Sequence, residues 1–382
     1  MKLTIKIAVT FLLGLIIIGT DAQTYSIGEI ITINSEILGE ERGIIVYTPF
    51  SYTETKQTYP VMYLLDGDAH FHHASGIVQF MSSRGLMPEM IVVAIQNVDR
   101  TRDFSPTRVA GQPNTGGADN FMHFLSDELI PLVEKKFRAN PYRILTGHSF
   151  GGEFAVFALL NEPDLFDAYI AISPYLMYDN NYMVKEARAK LRSNYPGGVM
   201  FYMTVGDEPN YFEPLGAFET IIEEKSPVGF EFKYVKMPDE NHGSIPHMSI
   251  YKGLEWIYSG WGIPDGKIND GLDAINQHYA DLSKKYGYEI KSPEYVLNLL
   301  GYAYLQNEEF EDAIRVFQEN VKRYPESSNV YDSLGEAFEN NNQFKEALKS
   351  YKKAVKIGSR EMSHNLVIYT TNMERMKEKL SE

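Results

Sequence analysis

The chain has 382 residues, more than one ordinary domain of about 150 residues, and its 44% hydrophobic and 23% charged composition is that of a globular protein rather than a disordered one. With 36 basic against 51 acidic residues the formal charge is −15, which repels phosphate backbones and excludes nucleic acid as an expected partner. Cysteine is absent, so no disulfide and no lipid-modified N-terminal cysteine can form, and packing must supply the stability.

At the N-terminus, Lys2 and Lys6 precede the apolar run Ile7 to Ile18, and the small residues Thr20 and Ala22 suit cleavage before Gln23. This order reads as a secretory signal peptide over residues 1–22, since the run is short for a membrane span. A periplasmic or secreted protein with no membrane span after cleavage is expected, with an uncleaved anchor as the alternative. From there on, apolar and β-branched runs alternate with segments of helical period. Strands are expected at Ile30 to Ile37, Gly43 to Thr48, Val61 to Leu65, Ile91 to Gln96, Arg143 to Thr146, Ala168 to Ile172, Met200 to Val205 and Phe232 to Val235. The run Asn120 to Phe137 spaces Phe121, Phe124, Leu125, Glu128, Leu129, Leu132 and Val133 as one helix packed on a sheet. Uniformly apolar strands such as Met90 to Ile95 suit a mostly parallel sheet covered on both faces, so the fold class is α/β.

Gly262, Pro264, Gly266 and Gly271 then punctuate the chain, which divides it into domains at 23–262 and 270–382. Beyond this point the sequence repeats: Leu300, Gly301, Ala303, Tyr304, Phe310, Ala313 and Phe317 recur 34 residues later as Leu334, Gly335, Ala337, Phe338, Phe344, Ala347 and Tyr351. The pattern resembles the tetratricopeptide repeat, in which small residues let two antiparallel helices approach and aromatics fill the space between neighbours. Two such units need flanking helices, expected from Asp273 to Lys285 and from Met362 to Leu380, or docking on the first domain. This all-α domain either engages a protein partner or caps and supports the rest.

The chemistry concentrates in Arg143-Ile144-Leu145-Thr146-Gly147-His148-Ser149-Phe150-Gly151-Gly152, an apolar strand, a glycine-flanked serine and a helical segment. This is a nucleophile elbow, the turn of an α/β-hydrolase that lifts a serine clear of the sheet, with glycines where side chains would collide. The N–H of Phe150, at a helix N-terminus, is an oxyanion donor. A serine hydroxyl needs a base, and His242 lies on the polar loop after the strand ending near Val235; His247 competes but begins a helix. The acid should follow the strand Val199 to Val205, where Glu208 is favoured, then Asp207, then Glu213. A second oxyanion donor is expected from the loop after Val61 to Leu65, with the backbone N–H of Asp68 as candidate. His70, His72 and His73 beside Asp66 and Asp68 invite a metal, but acyl transfer by serine needs none, and no metal or other cofactor is expected. Arg100 and Arg102, after the strand Ile91 to Gln96, either bind an acidic or phenolic substrate group or pair with Asp99 and Asp103.

Together, Pro60 to Gly67, Asn97 to Pro106, Gly147 to Gly152, Ile172-Ser173-Pro174 and Asn241 to Ser244 resemble the putative esterase family, over about Tyr25 to Tyr258. That family includes esterase D, feruloyl and acetylxylan esterases, mycolyltransferases and periplasmic siderophore esterases. The arginine-rich stretch is most similar to the siderophore branch. The resemblance implies hydrolysis of a small-molecule or glycan carboxylic ester through an acyl-enzyme, with Ser149 as nucleophile and His242 as base. It fixes neither the acid nor the ester. An acyltransferase would use the same residues, and an inactive hydrolase fold that binds protein through its repeats is the rival from another class.

Overall fold

The computed structural model describes residues 25–53 and 55–382, so the expected signal peptide lies outside the described residues. Eight strands form one sheet: β1 (Glu29–Ser35), β2 (Glu40–Tyr47), β3 (Tyr59–Leu64), β4 (Ile91–Ile95), β5 (Ala139–His148), β6 (Ala168–Ile172), β7 (Asn194–Val205) and β8 (Val228–Lys236). Across the sheet they run β1-β2-β4-β3-β5-β6-β7-β8. The β1–β2 and β2–β4 pairings are antiparallel and all the others parallel, as the apolar strands led one to expect. Strands β3, β4 and β6 are buried from end to end, and their alternate side chains feed two separate cores. Val61, Tyr63 and Leu65 enter one, while Met62 and Leu64 enter the other.

The helices between and after the strands are α1 (Gly67–Ser83), α2 (Arg100–Phe104), α3 (Ala118–His123), α4 (Ile130–Lys136), α5 (Phe150–Asn161), α6 (Tyr178–Lys190), α7 (Pro209–Lys225) and α8 (Ile245–Ile257). Helices α1 and α8 cover the face of Met62 and Leu64, and α5, α6 and α7 cover the opposite face. The run 120–137, expected as one helix, is α3 and α4 joined by a π-helical stretch, Phe124–Leu129. The break ends just before Pro131, which has no N–H to continue the α ladder. Glu128 in this stretch does more than pack: its carboxylate accepts from Ser35 Oγ at 2.5 Å and from the Glu36 N–H at 2.8 Å, tying down the β1–β2 turn.

Seven further helices follow: α9 (Asp265–Asn269), α10 (Leu272–Tyr286), α11 (Glu294–Gln306), α12 (Phe310–Arg323), α13 (Ser328–Asn340), α14 (Phe344–Glu361) and α15 (Leu366–Lys379). The 34-residue period has a direct physical cause. A Cβ on Gly301 would stand 2.5 Å from the Phe317 ring, and one on Gly335 would stand 2.6 Å from the Tyr351 ring, so each helix pair needs the same glycine under the same aromatic. The stretch 261–273, which carries the short α9, does not interrupt the packing. Tyr286 of α10 lies against Tyr142 of β5 and against Tyr258, with ring centroids 5.3 and 5.2 Å away, and its hydroxyl donates to the Ile257 carbonyl at 2.9 Å. Val296 and Leu300 of α11 belong to the same apolar core as Met62. No helix among the described residues is long and apolar enough to cross a membrane.

Candidate active site

Ser149 sits between β5 and α5 with φ 58° and ψ −116°, a conformation that costs a non-glycine residue roughly 1–3 kcal/mol. The surroundings impose it. The Ser149 N–H donates to the Ile172 carbonyl at 2.9 Å, and its carbonyl accepts from the Glu153 and Tyr175 N–H groups at 2.9 and 3.1 Å. A Cβ on Gly147 would stand 2.1 Å from the Gly151 carbonyl oxygen, so the turn closes only with glycine there, and one on Gly151 would crowd Asp66 Oδ2 at 3.1 Å. Phe150 is the first residue of α5, where the helix dipole is positive.

Glu208 lies three residues past the end of β7, at the N-cap of α7, and one carboxylate oxygen is hydrogen-bonded to His242 Nδ1. The other oxygen accepts from the Ser173 hydroxyl and from the Gly206 N–H at 3.1 Å. The side chain of Glu208 is 7% exposed against 43% for His242, so a buried carboxylate with three hydrogen bonds holds an imidazole that still reaches solvent. Asp207 and Glu213, the alternative acids, are both exposed, and the Asp207 N–H is engaged by the Glu240 carbonyl at 2.7 Å. The His242 loop is itself held: Asn241 Oδ1 accepts from the Gly243 N–H at 2.9 Å, and the Asn241 N–H donates to Ser244 Oγ at 3.0 Å. His247 stands apart on α8, its ring 5.5 Å from that of His73.

Sequence reasoning did not single out Tyr211. It sits in the first turn of α7, its N–H donating to the Glu208 carbonyl at 2.9 Å. The Tyr211 ring is 5.6 Å from His242 and 6.0 Å from Tyr175, and Phe150 continues this aromatic wall 5.0 Å from Tyr175. The one available signal was helical spacing, which puts Tyr211 one turn past the acid. Ser173 had only its place in the Ile172-Ser173-Pro174 motif.

Arg100 and Arg102 are both paired with carboxylates. Arg100 grips Asp66 with two bonds, 2.5 and 2.9 Å, and donates to the His148 carbonyl at 3.0 Å; Asn97 Nδ2 adds a third bond to Asp66 at 2.7 Å. Asp66, at φ 54°, starts α1, so Arg100 braces the turn bearing Asp68 against the elbow. Of the partners expected from sequence, Arg102 finds Asp103, at 2.7 Å, and it also bonds Glu40 at 2.6 Å; the fully buried Arg42 is paired with the same two carboxylates. The Arg102 guanidinium is thus engaged between β2 and α2, the pairing that the sequence offered as one of its two readings. The Asp68 side chain accepts from Gln96 Nε2 at 2.7 Å and from the Asn97 N–H at 3.0 Å, which leaves its backbone in the first turn of α1.

Histidines line this site. The His148 ring lies 4.4 Å from His242 and 5.6 Å from His70, and His70 Nδ1 is 3.0 Å from His73 Nε2. Burial, reinforced by the neighbouring rings, pushes His148 down to about 3 and His73 to about 4, and lowers His70, so these rings are neutral near pH 7. Among the described residues no group of three or more His, Asp and Glu side chains converges on a metal position. Glu153, one turn into α5, is fully buried with neither carboxyl oxygen hydrogen-bonded. Burial, and then the charge of Asp179, raises it far above the usual carboxylate range and keeps it protonated.

Residues 35–216 match the family described as putative esterase. Residues 328–357 match a tetratricopeptide repeat. Ferri-bacillibactin esterase BesA of Bacillus subtilis (strain 168) is 32% identical over 149 residues, which are 34% of this chain and 52% of that protein; the match spans about half the length of this curated relative. An IroE-like serine hydrolase from Shewanella oneidensis is similar in structure, with TM-score 0.67 and 25% identity over 78% of this chain and 99% of that one. An uncharacterised protein from Capnocytophaga ochracea has TM-score 0.64 and 19% identity over 92% of this chain and 99% of that one, so the esterase fold with its helical extension recurs elsewhere.

Proposed function

We propose that the protein is an exported serine carboxylic-ester hydrolase working through an acyl-enzyme on Ser149. The observation that carries this reading is the Glu208–His242 pair, its acid buried and triply hydrogen-bonded, beside a serine held in a strained elbow. With Nδ1 held by Glu208, His242 has Nε2 free to take the serine proton. Ser149 Oγ then attacks the ester carbonyl, and the N–H groups of Phe150 and Asp68 receive the oxyanion. The leaving alcohol takes the proton back from His242, and water activated by the same ring frees the acid. The Glu208 carboxylate steadies the imidazolium. An acyltransferase would share every step but the last, with an alcohol in place of water.

Siderophore-type esters are the first substrate class to test, since the relative from Bacillus subtilis is named for one; feruloylated or acetylated glycans come next. The experiment is labelling with a fluorophosphonate probe, followed by a competitive ester panel. Wild type should label at Ser149, and Ser149→Ala should neither label nor turn over any ester; equal labelling of the two proteins ends the reading.

A cavity supports a second role. About 560 Å³ lies between α13 and α14, lined by Tyr331, Leu334 and Phe338 together with Lys349, Lys353 and Lys356, and it suits a protein partner of the repeats. If partner binding alone is the function, Lys349→Glu with Lys353→Glu abolishes the biological role and Ser149→Ala leaves it intact.

A further inference from the structure

Corresponding faces of the two repeats are covered differently. The cavity between α13 and α14 is floored by Tyr331, Leu334, Phe338 and Ser350. One period of 34 residues earlier stand Leu297, Leu300, Tyr304 and Val316. Leu297, Leu300 and Val316 are buried in the core that also holds Ile268 of α9 and Ile275 and Tyr279 of α10, and Tyr304 packs against that core. Gly271, at the N-cap of α10, sits over Tyr304, since a Cβ there would stand 3.2 Å from the tyrosine hydroxyl. The chain thus lays its own helices α9 and α10 on this face of the first repeat. Among the described residues no helix is laid on the matching face of the second, where about 560 Å³ stands open.

The charge on the two faces differs as well. In the first repeat Glu319 is paired with Lys322 at 3.5 Å and with Arg323 at 2.9 Å. In the second, Lys353 takes the place of Glu319 and Lys356 that of Lys322, and Lys349 and Lys352 join them on the exposed side of α14. The ion-paired lysines among the described residues are Lys190, Lys252, Lys291, Lys322 and Lys377, so none of these four is neutralised. Lys353 instead lies over the Tyr331 ring, 5.6 Å from its centroid, and Glu346 is the single acid lining the cavity. Like charges three and four residues apart on one helix repel, so an anionic partner relieves a strain that the free helix carries. We infer that this face of the second repeat binds an acidic amphipathic helix of a partner protein, its apolar side on Tyr331, Leu334 and Phe338 and its carboxylates on Lys349, Lys352, Lys353 and Lys356. The inference rests on the partner-binding reading of the cavity and names the chemistry of that partner. Shape follows from the first repeat, whose equivalent face takes helices, and the sign of the charge follows from the lysines. Lys349 to Lys356 spans about 10 Å, so two to three turns of bound helix reach all four.

The test uses the full chain and two synthetic peptides spanning residues 265–286, the segment that covers the first repeat. One carries Lys267→Glu, Lys284→Glu and Lys285→Glu, the other Asp265→Lys, Asp270→Lys, Asp273→Lys and Asp281→Lys. By fluorescence anisotropy at low salt the acidic peptide should bind wild type at least about tenfold more tightly than the basic one, and the gap should narrow as salt is raised. Lys349→Glu, Lys352→Glu, Lys353→Glu and Lys356→Glu combined should reverse the order of the peptides. Arg315→Glu with Lys322→Glu, on the first repeat, should leave binding of the acidic peptide unchanged. Equal binding of the two peptides, or binding of the acidic one that survives the four-lysine reversal, would overturn the proposal. So would a wild-type dimer in sedimentation velocity that the reversal dissolves, which gives the face to a second copy of this chain. If the acidic peptide does not bind, yet Lys349→Glu with Lys353→Glu abolishes the biological role, the acidic helix is refuted and the partner-binding reading stands.

Discussion

Acidification should destabilise this protein through its buried histidines, and the size of the effect follows from their surroundings. His148 and His73 sit at about 3 and about 4 in the folded protein, pushed there mainly by burial, against 6.5 for an exposed ring. As pH falls below 6.5 the unfolded chain binds protons that the folded protein refuses, so stability drops until the folded values are reached. Both folded values lie below 5, so the loss between pH 7.5 and pH 5 is governed by the unfolded value and comes to about 2 kcal/mol per ring. Together the two rings cost about 4 kcal/mol, a large part of the 5–15 kcal/mol that typically holds a domain folded. The perturbation is His148→Gln or His73→Phe, and the assay is urea unfolding at intervals from pH 7.5 to pH 5. Each variant should flatten the pH dependence by about 2 kcal/mol over that range. A stability difference between wild type and variant that stays constant with pH would refute the reasoning, since it would mean that neither ring resists protonation.

Glu208→Gln should lower kcat by about a hundredfold to ten-thousandfold with KM nearly unchanged, because the amide can present its N–H to Nδ1 and favour the wrong tautomer. Asp207→Asn and Glu213→Gln should stay within about twofold on the same steady-state assay, as neither side chain touches His242. Glu153→Met should stabilise the protein by roughly 1–3 kcal/mol in urea at pH 7, because it replaces a buried acid that has no partner. The folded value of Glu153 is raised, so its contribution is favourable below about 4.5 and is lost as pH rises; the gain from Glu153→Met should shrink as unfolding is repeated toward pH 4.5.

What could be read from the sequence divides along the range of the physics involved. Strands β3, β4 and β6 were legible because burial on both faces leaves a local trace, an unbroken apolar run, and the repeats because Gly301 and Gly335 each lie under an aromatic at the same offset. The elbow was legible because its strain demands glycine within two residues on either side. Which carboxylate meets His242 was not, since Asp207, Glu208 and Glu213 all follow β7 and only folding brings His242, the Ser173 hydroxyl and the Gly206 N–H to Glu208. Arg100 illustrates the same limit: carboxylates lay beside it in sequence, yet the one it grips, Asp66, comes from the start of α1. The π-helical break before Pro131 was hidden in a pattern that was helical on either side. Continuity of packing across 261–273 left no mark either, because Tyr258, Trp261 and Tyr286 read as ordinary core aromatics.

That continuity limits what the helical extension does for the esterase segment. Its helices meet the sheet on the face of α1 and α8, and Tyr295 of α11 comes close to Gly85, where an added Cβ would stand 3.3 Å from its hydroxyl. Gly85 lies just past the C-terminal end of α1, whereas Asp66 and Asp68, which face the elbow, lie at the N-terminal end. Seventeen residues of helix separate the two ends, about 25 Å. Ala74, Ile77, Val78 and Met81 bury α1 in the same core as Tyr279, Leu282 and Val296 of the extension. The repeats thus hold the far end of a rigid helix whose near end is clamped by Arg100 against the serine turn. In the proposed mechanism their leverage would run through the placement of that helix, and so through the Asp68 N–H rather than through His242 or Glu208, which stand on elements from β7 onward.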